Sequence, residues 1–255
     1  MYDLSLMHGL RRSHGFFNIA SVLLLWLVFS PASEAFPTFG GNRAKNQPAD
    51  DDFHWVATWT SMPQLVEPEN LPPAPFTAAA VFQEATLRQT LHSSIGADRI
   101  RLQISNTFGG SELPITLASV ALPTGGQAGV GEIDVETLVG LTFNGSDSVT
   151  IPAGEVVYTD PVDFKVGPQS MITVSLYSQP GQAGNSITGH PGSRTTSWMQ
   201  QGNYVNEPSV SESSVAHWYF ISAVEAWAPQ TTSALVVLGD SISDGRGSID
   251  NENNR

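Results

Sequence analysis

The residue types able to do covalent chemistry are concentrated in one short stretch, Gly239-Asp240-Ser241-Ile242-Ser243-Asp244-Gly245, directly after the apolar run Ala234-Leu235-Val236-Val237-Leu238. That run does not alternate with polar residues, which predicts a strand buried on both faces, as in a parallel sheet. A serine at the carboxyl end of such a strand stands where open α/β sheets place their ligand sites. A sharp turn there presents the Ser241 Oγ, and the free N–H groups of a following helix can stabilise an oxyanion on an attacked carbonyl. Gly239 allows the close approach that a side chain would crowd. The chemistry this pattern points to is acyl transfer through a nucleophilic serine.

A plainer reading competes with it: Asp240 or Ser241 caps a helix, because Ser and Asp after a strand are the usual N-cap residues. Two other motifs are excluded by spacing. Ser243 stands where a Gly-x-Ser-x-Gly elbow needs its second glycine, and Gly245-Arg246-Gly247 does not extend into a phosphate loop. Among the histidines, His190 lies in a Gly/Pro/Ser loop and His217 at the start of a strand, so both read as structural or exposed imidazoles. His54 and His92 sit in strand patterns with no His, Asp or Glu at ligand spacing, and no metal or cofactor is expected. With no cysteine in the chain, thiolate catalysis, disulfides and cysteine zinc sites are excluded. The aromatic residues Trp55, Trp59, Trp198, Trp218, Tyr219 and Trp227 could form a platform for stacking sugars, but aromatic residues on strands more often belong to the core.

The elements that position Ser241 read as β structure. Residues 54–59 form an aromatic and β-branched run, and 67–75, with four prolines, an irregular loop. Residues 86–95 and 99–108 read as a hairpin around Gly96-Ala97-Asp98, the second strand alternating Ile100, Leu102 and Ile104 against Arg99, Arg101 and Gln103. Further strands are predicted at 114–122, 137–143, 148–151, 156–158, 171–177 and 218–227. With 23 glycines and 17 prolines spread along the chain and no helical periodicity, this is the pattern of an antiparallel sandwich over 53–228. Residues 229–255 then change character and read as the start of a different, α/β domain.

The ends and the charge set the context. Arg11 and Arg12 precede an apolar run from Phe16 to Phe29, and Ser33-Glu34-Ala35 offers a small-residue cleavage site, so residues 1–35 read as a secretory signal and 36–52 as a flexible mature N-terminus. The run is shorter than a membrane span and is followed by Pro31. A formal net charge of -13 disfavours nucleic acid and anionic membranes as partners. Export through a eukaryotic pathway would expose one glycosylation sequon, Asn144-Gly145-Ser146.

Residues 237–248 resemble the first block of the GDSL or SGNH hydrolases, in its Gly-Asp-Ser-Ile-Thr-Asp-Gly form with Ser243 in place of Thr. Upstream, Trp55-Val56-Ala57-Thr58-Trp59, Arg88-Gln89-Thr90-Leu91, Ile104-Ser105-Asn106-Thr107-Phe108-Gly109, residues 190–197 and Trp218-Tyr219-Phe220 resemble the segment that precedes this block in extracellular members. The resemblance implies an α/β/α hydrolase domain after the β domain, with Ser241 as nucleophile and its N–H as one oxyanion donor. Gly239, Asp240, Ser243, Asp244 and Gly245 support the motif. It implies a secreted carboxylic ester hydrolase acting on a small-molecule, polysaccharide or lipid ester. The family completes its site with a later glycine, a later asparagine and an Asp-x-x-His, none of which stands in the 14 residues after Ser241. The expectation is therefore a chain cut short and inactive by itself. The alternative is a secreted carbohydrate-binding β-sandwich in which Gly-Asp-Ser is incidental.

Overall fold

The computed structural model describes residues 52–252; the expected signal segment and residues 36–51 lie outside them. The first six strands are β1 (Phe53–Thr60), β2 (Gln64–Leu65), β3 (Ala85–Ser93), β4 (Ala97–Ser105), β5 (Leu113–Ile115) and β6 (Leu117–Pro123). They are followed by β7 (Ile133–Leu141), β8 (Val149–Ile151), β9 (Val156–Tyr158), β10 (Val162–Val166) and β11 (Ser170–Ser178). The last are β12 (Thr188–His190), β13 (Ser197–Gln201), β14 (Ser213–Val215), β15 (Trp218–Tyr219) and β16 (Ile221–Pro229). The described residues contain no α-helix, only short 3₁₀ turns such as Pro68–Asn70 and Thr124–Gly126, so the chain is mainly β, as the turn-rich composition predicts. Nor does any helix among them have the length and apolarity to cross a membrane.

One sheet runs β1-β16-β4-β10 with β9 also on β4, and a six-stranded sheet runs β14-β13-β3-β11-β6-β7. Smaller sheets join β15-β12-β2 and β5-β8, and every pairing is antiparallel. One hydrophobic core draws Ile100, Leu102, Ile104 and Val224 from the first sheet and Leu87, Leu91, Val120, Val174 and Leu176 from the second. The alternation read in β4 holds, with its isoleucines and leucine inside and Arg99, Arg101 and Gln103 turned outward.

The hairpin expected around Gly96 does not form. β3 pairs with β11 and β13, whereas β4 pairs with β16, β10 and β9, so the turn between them passes from one sheet to the other. Hairpin partners share their two faces, and these strands have different faces: β4 has one solvated side, while β3 is buried on both. Thr58 fixes the crossing, its Oγ1 accepting the Ile95 N–H at 3.0 Å. Two other predicted strands are each split between sheets. Residues 114–122 divide at Thr116, whose N–H donates to the Tyr177 carbonyl at 2.8 Å, and 218–227 divide at Phe220, which has φ +65°.

The second face of β3 is a buried polar layer. Arg88 and Thr90 lie beside Ser175 and Thr173 of β11, Thr86 extends the row along β3, and Ser119 of β6 continues it beyond Ser175. These side chains hold the two loops that cover the sheet. Gly129 N–H donates to Thr90 Oγ1 at 2.7 Å, and Ser119 Oγ donates to the Val205 carbonyl at 2.9 Å. A second knot lies where β4 ends. The Asn106 amide donates to the carbonyls of Ser111, Ile151 and Pro152 at 2.8 to 3.1 Å and accepts from Gln182 Nε2 at 2.8 Å. A Cβ on Gly109 would lie 1.8 Å from Asn106 Oδ1 and 2.7 Å from Gln182 Nε2. Gly109→Ala is therefore expected to lower stability by about 1 to 3 kcal/mol, the range for overpacking a closed site. A fall in the urea midpoint at unchanged slope checks this, and an unmoved midpoint contradicts it.

Residues 232–240 carry no strand. The run predicted to be buried on both faces is unpaired and open to solvent, with Leu235 89% and Leu238 97% exposed. Burial on both faces needs a strand to be paired into a covered sheet, and no described strand pairs with this run. The Asn144-Gly145-Ser146 sequon occupies an exposed turn after β7, with Asn144 at φ +51° and Gly145 at +78°.

Candidate functional site around Ser241

Ser241 opens a compact turn over residues 241–247. Asp240 does not cap a helix: its Oδ1 accepts the Ile242 N–H at 2.9 Å, the local ring that Asp side chains favour in turns. The Asp244 N–H donates to the Asp240 carbonyl at 3.0 Å, and the Arg246 N–H to the Ser241 carbonyl at 2.7 Å. Gly239 permits a close approach, as expected, but what approaches is Ser243, whose Oγ lies 2.0 Å from the place a Cβ would take. Gly245, at φ +81°, adopts a conformation that favours glycine. Ser241 itself is exposed, and neither its Oγ nor its N–H is engaged by any described residue.

The turn is held against the β domain by its later residues. His190, 4% exposed, places Nε2 2.9 Å from both carboxylate oxygens of Asp244. Its Nδ1 accepts the Met62 N–H at 3.4 Å, so the ring proton belongs on Nε2, donated to Asp244. The indole of Trp218 lies beside it, ring centres 5.7 Å apart. Seven residues further on, Asn251 donates its N–H to the Arg194 carbonyl at 2.8 Å. Its side chain accepts the Thr196 N–H at 2.8 Å and donates to Thr196 Oγ1 at 2.9 Å. Asp250 and Arg194 add a looser ion pair at 3.8 Å. Residues 239–251 are thus seated on the loop 190–196, joining two stretches of the resemblance that lie far apart in sequence.

This contact was not read from the sequence, where His190 appears as a structural or exposed imidazole. Structural it is, with both ring nitrogens engaged, and neither reaches Ser241 Oγ. The other histidines among the described residues make no bond to Ser241 either. His217 Nδ1 donates to the Pro191 carbonyl at 2.6 Å, His54 Nε2 donates to the Thr232 carbonyl at 2.9 Å, and His92 lies on β3. The described residues contain no group of histidines and carboxylates able to hold a metal. A groove of about 280 Å³ beside the turn runs between Thr60, Met62 and Trp218 on one wall and Leu238, Asp240 and Ser243 on the other.

The aromatic residues divide between core and surface. Trp59, Trp218 and Tyr219 are buried, and burial raises the Tyr219 phenol well above its usual pKa while its OH donates to the Asn70 carbonyl. Trp198 donates Nε1–H to the Gly129 carbonyl at 2.8 Å. Trp55 and Trp227 form an outer row with Phe53 and Tyr158, in which the Arg101 guanidinium lies 4.6 Å from the Trp55 ring and 4.4 Å from that of Tyr158. Each of those two rings thus has the cation on one face. No protein-family model matches the chain, and no curated protein matches it.

Proposed function

We propose that this chain carries the nucleophile block of an SGNH-type carboxylic ester hydrolase, with Ser241 as the attacking residue. The observation that carries the reading is the state of Ser241. It is exposed, with Oγ and N–H both free to meet a substrate, on a turn fixed by Asp240, Gly239 and Gly245. In the reaction the Ser241 Oγ bonds to the ester carbonyl carbon as a base takes its proton, and the tetrahedral oxyanion collapses with loss of the alcohol. Water then releases the acid from the acyl-serine. The Ser241 N–H is one donor to that oxyanion, and losing a single such donor typically costs about 2.7 to 4 kcal/mol of transition-state stabilisation.

On this reading the exposed run 234–238 is the first strand of an α/β/α hydrolase domain whose remaining strands, general base and other oxyanion donors come from outside residues 52–252. The β domain over 53–228 is then an antiparallel sandwich that supports it. The enzyme is exported with residues 1–35 removed, uses no cofactor, and acts on a small-molecule, polysaccharide or lipid ester. Treatment of a form extended to include an Asp-x-x-His with a fluorophosphonate tests the assignment. A single adduct mapped to Ser241 supports it, and an adduct on another residue, or none under conditions that label a known serine esterase, refutes it.

A further inference from the structure

We infer that residues 190–196, the end of β12 and the loop after it, are the seat that positions the nucleophile turn, with His190 of the seat and Asn251 of the docked segment as the two positioning residues. The inference rests on the reading of Ser241 as nucleophile only for its catalytic consequence; the docking itself stands on contacts.

The seat is anchored in the β domain by bonds that do not involve the turn. His217 holds the Pro191 carbonyl, and Ser193, nearly fully buried, donates to the carbonyls of Thr195 and Ala216 at 3.2 and 3.3 Å. His190 is aimed by the Met62 N–H on one nitrogen, which leaves the other as a donor directed at a carboxylate. A rigid donor presented this way selects an acidic partner, and a hydrogen bond to a charged group contributes more than a neutral one.

The turn, by contrast, has little apolar packing with which to hold itself. Ile242 and Ile249 point outward, as do the side chains of the run before Ser241. Its own bonds set its shape, and what attaches it to the strands is Asp244 at one end and Asp250 and Asn251 at the other, bracketing the segment that follows the nucleophile. At Asn251 the side-chain amide pairs with both the N–H and the hydroxyl of Thr196, so this residue is read in two polarities at once. The fit is also steric. A Cβ on Gly192 would lie 2.5 Å from Asp244 Oδ2, and one on Gly129 would lie 2.0 Å from Asn251 Oδ1. At both attachment points the β domain presents a glycine where the docked side chain comes closest. Gly129 lies at φ +67°, a conformation that favours glycine by itself, so Gly192 is the position where the docked side chain alone accounts for the glycine.

Hydrogen exchange on the 255-residue chain tests the seat without any activity. In the parent chain the amides of Asp244, Arg246 and Asn251 are expected to be protected. Asn251→Ala and Gly192→Ala should each speed exchange over 240–252 by about tenfold or more, the factor set by losing one hydrogen bond to a charged or buried partner. His190→Ala should do the same and His190→Gln, which can still donate to Asp244, should restore part of the protection. Exchange in β3 and β11 is the control for folding and should not change. Unprotected amides over 240–252 in the parent chain overturn the proposal, as do rates unaffected by Asn251→Ala and Gly192→Ala. In an ester-hydrolysing form, Asn251→Ala should lower kcat with KM little changed. If exchange behaves as expected but Ser241→Ala keeps activity, the esterase reading fails and the seat stands; if Ser241 is essential but exchange is indifferent to the variants, the seat fails alone.

Discussion

Arg88→Met is expected to destabilise the β domain by about 3 to 5 kcal/mol, because several buried acceptors are left unsatisfied at about 1 to 3 kcal/mol each, a large share of the roughly 5 to 15 kcal/mol that holds a typical domain together. The side chain is 0% exposed. Its Nε donates to Ser175 Oγ, one terminal nitrogen donates to the Gly131 carbonyl, and the other donates to the carbonyls of Tyr204 and Glu207, each at 2.9 Å. Burial lowers its pKa to about 10, opposed by the charges of Glu132 and Glu207, so it remains a cation at neutral pH. The guanidinium therefore joins both covering loops to the six-stranded sheet, and its loss leaves their carbonyls facing an apolar side chain. Arg88→Lys is expected to recover little, because one ammonium cannot reproduce the planar fork that reaches four acceptors in three directions. Urea unfolding of the parent and both variants checks this. A loss below about 0.5 kcal/mol, the size of an ordinary surface substitution, contradicts the account.

The same residue shows why part of the fold was legible in the sequence and part was not. In β4 one face meets water, so Ile100, Leu102 and Ile104 alternate with polar residues and the strand can be read directly. In β3 the residues Thr86, Arg88 and Thr90 follow the same alternation, yet that face is buried beneath loops. Periodicity separates polar from apolar, not exposed from covered, so two strands of different sheets look like partners in one hairpin. The splits at Thr116 and Phe220 were hidden for a related reason, since a strand that changes sheet keeps its β-forming residues while its hydrogen-bond partners change. The site was legible in its residues and not in its surroundings. Gly239, Ser241 and Gly245 could be singled out because their conformational needs are local. The contacts of Asp244 with His190 and of Asn251 with Thr196 join residues more than 50 positions apart, and neither pair has a short-range signature. The run 234–238 reads as buried because it does not alternate, but burial depends on neighbours that the described residues do not supply.

Ser241→Ala is expected to have the largest effect of any substitution, and on rate rather than on stability. A serine hydroxyl attacks poorly until a base takes its proton, and in the described residues both nitrogens of His190 are engaged elsewhere while no other histidine bonds to Ser241. The 255-residue chain should therefore hydrolyse a short-chain aryl ester no faster than its own Ser241→Ala variant. A form that supplies an Asp-x-x-His should turn over, and there Ser241→Ala should reduce kcat by on the order of 10³-fold or more, the scale on which serine hydrolases lose activity with their nucleophile. Because the side chain is exposed and makes no hydrogen bond to a described residue, the variant should unfold at the same urea concentration as its parent. The decisive measurement is the rate of aryl-ester hydrolysis by the extended form with and without Ser241. Collapse of turnover in a folded Ser241→Ala protein is the result expected, and turnover that survives the substitution would contradict the assignment of this serine as the nucleophile.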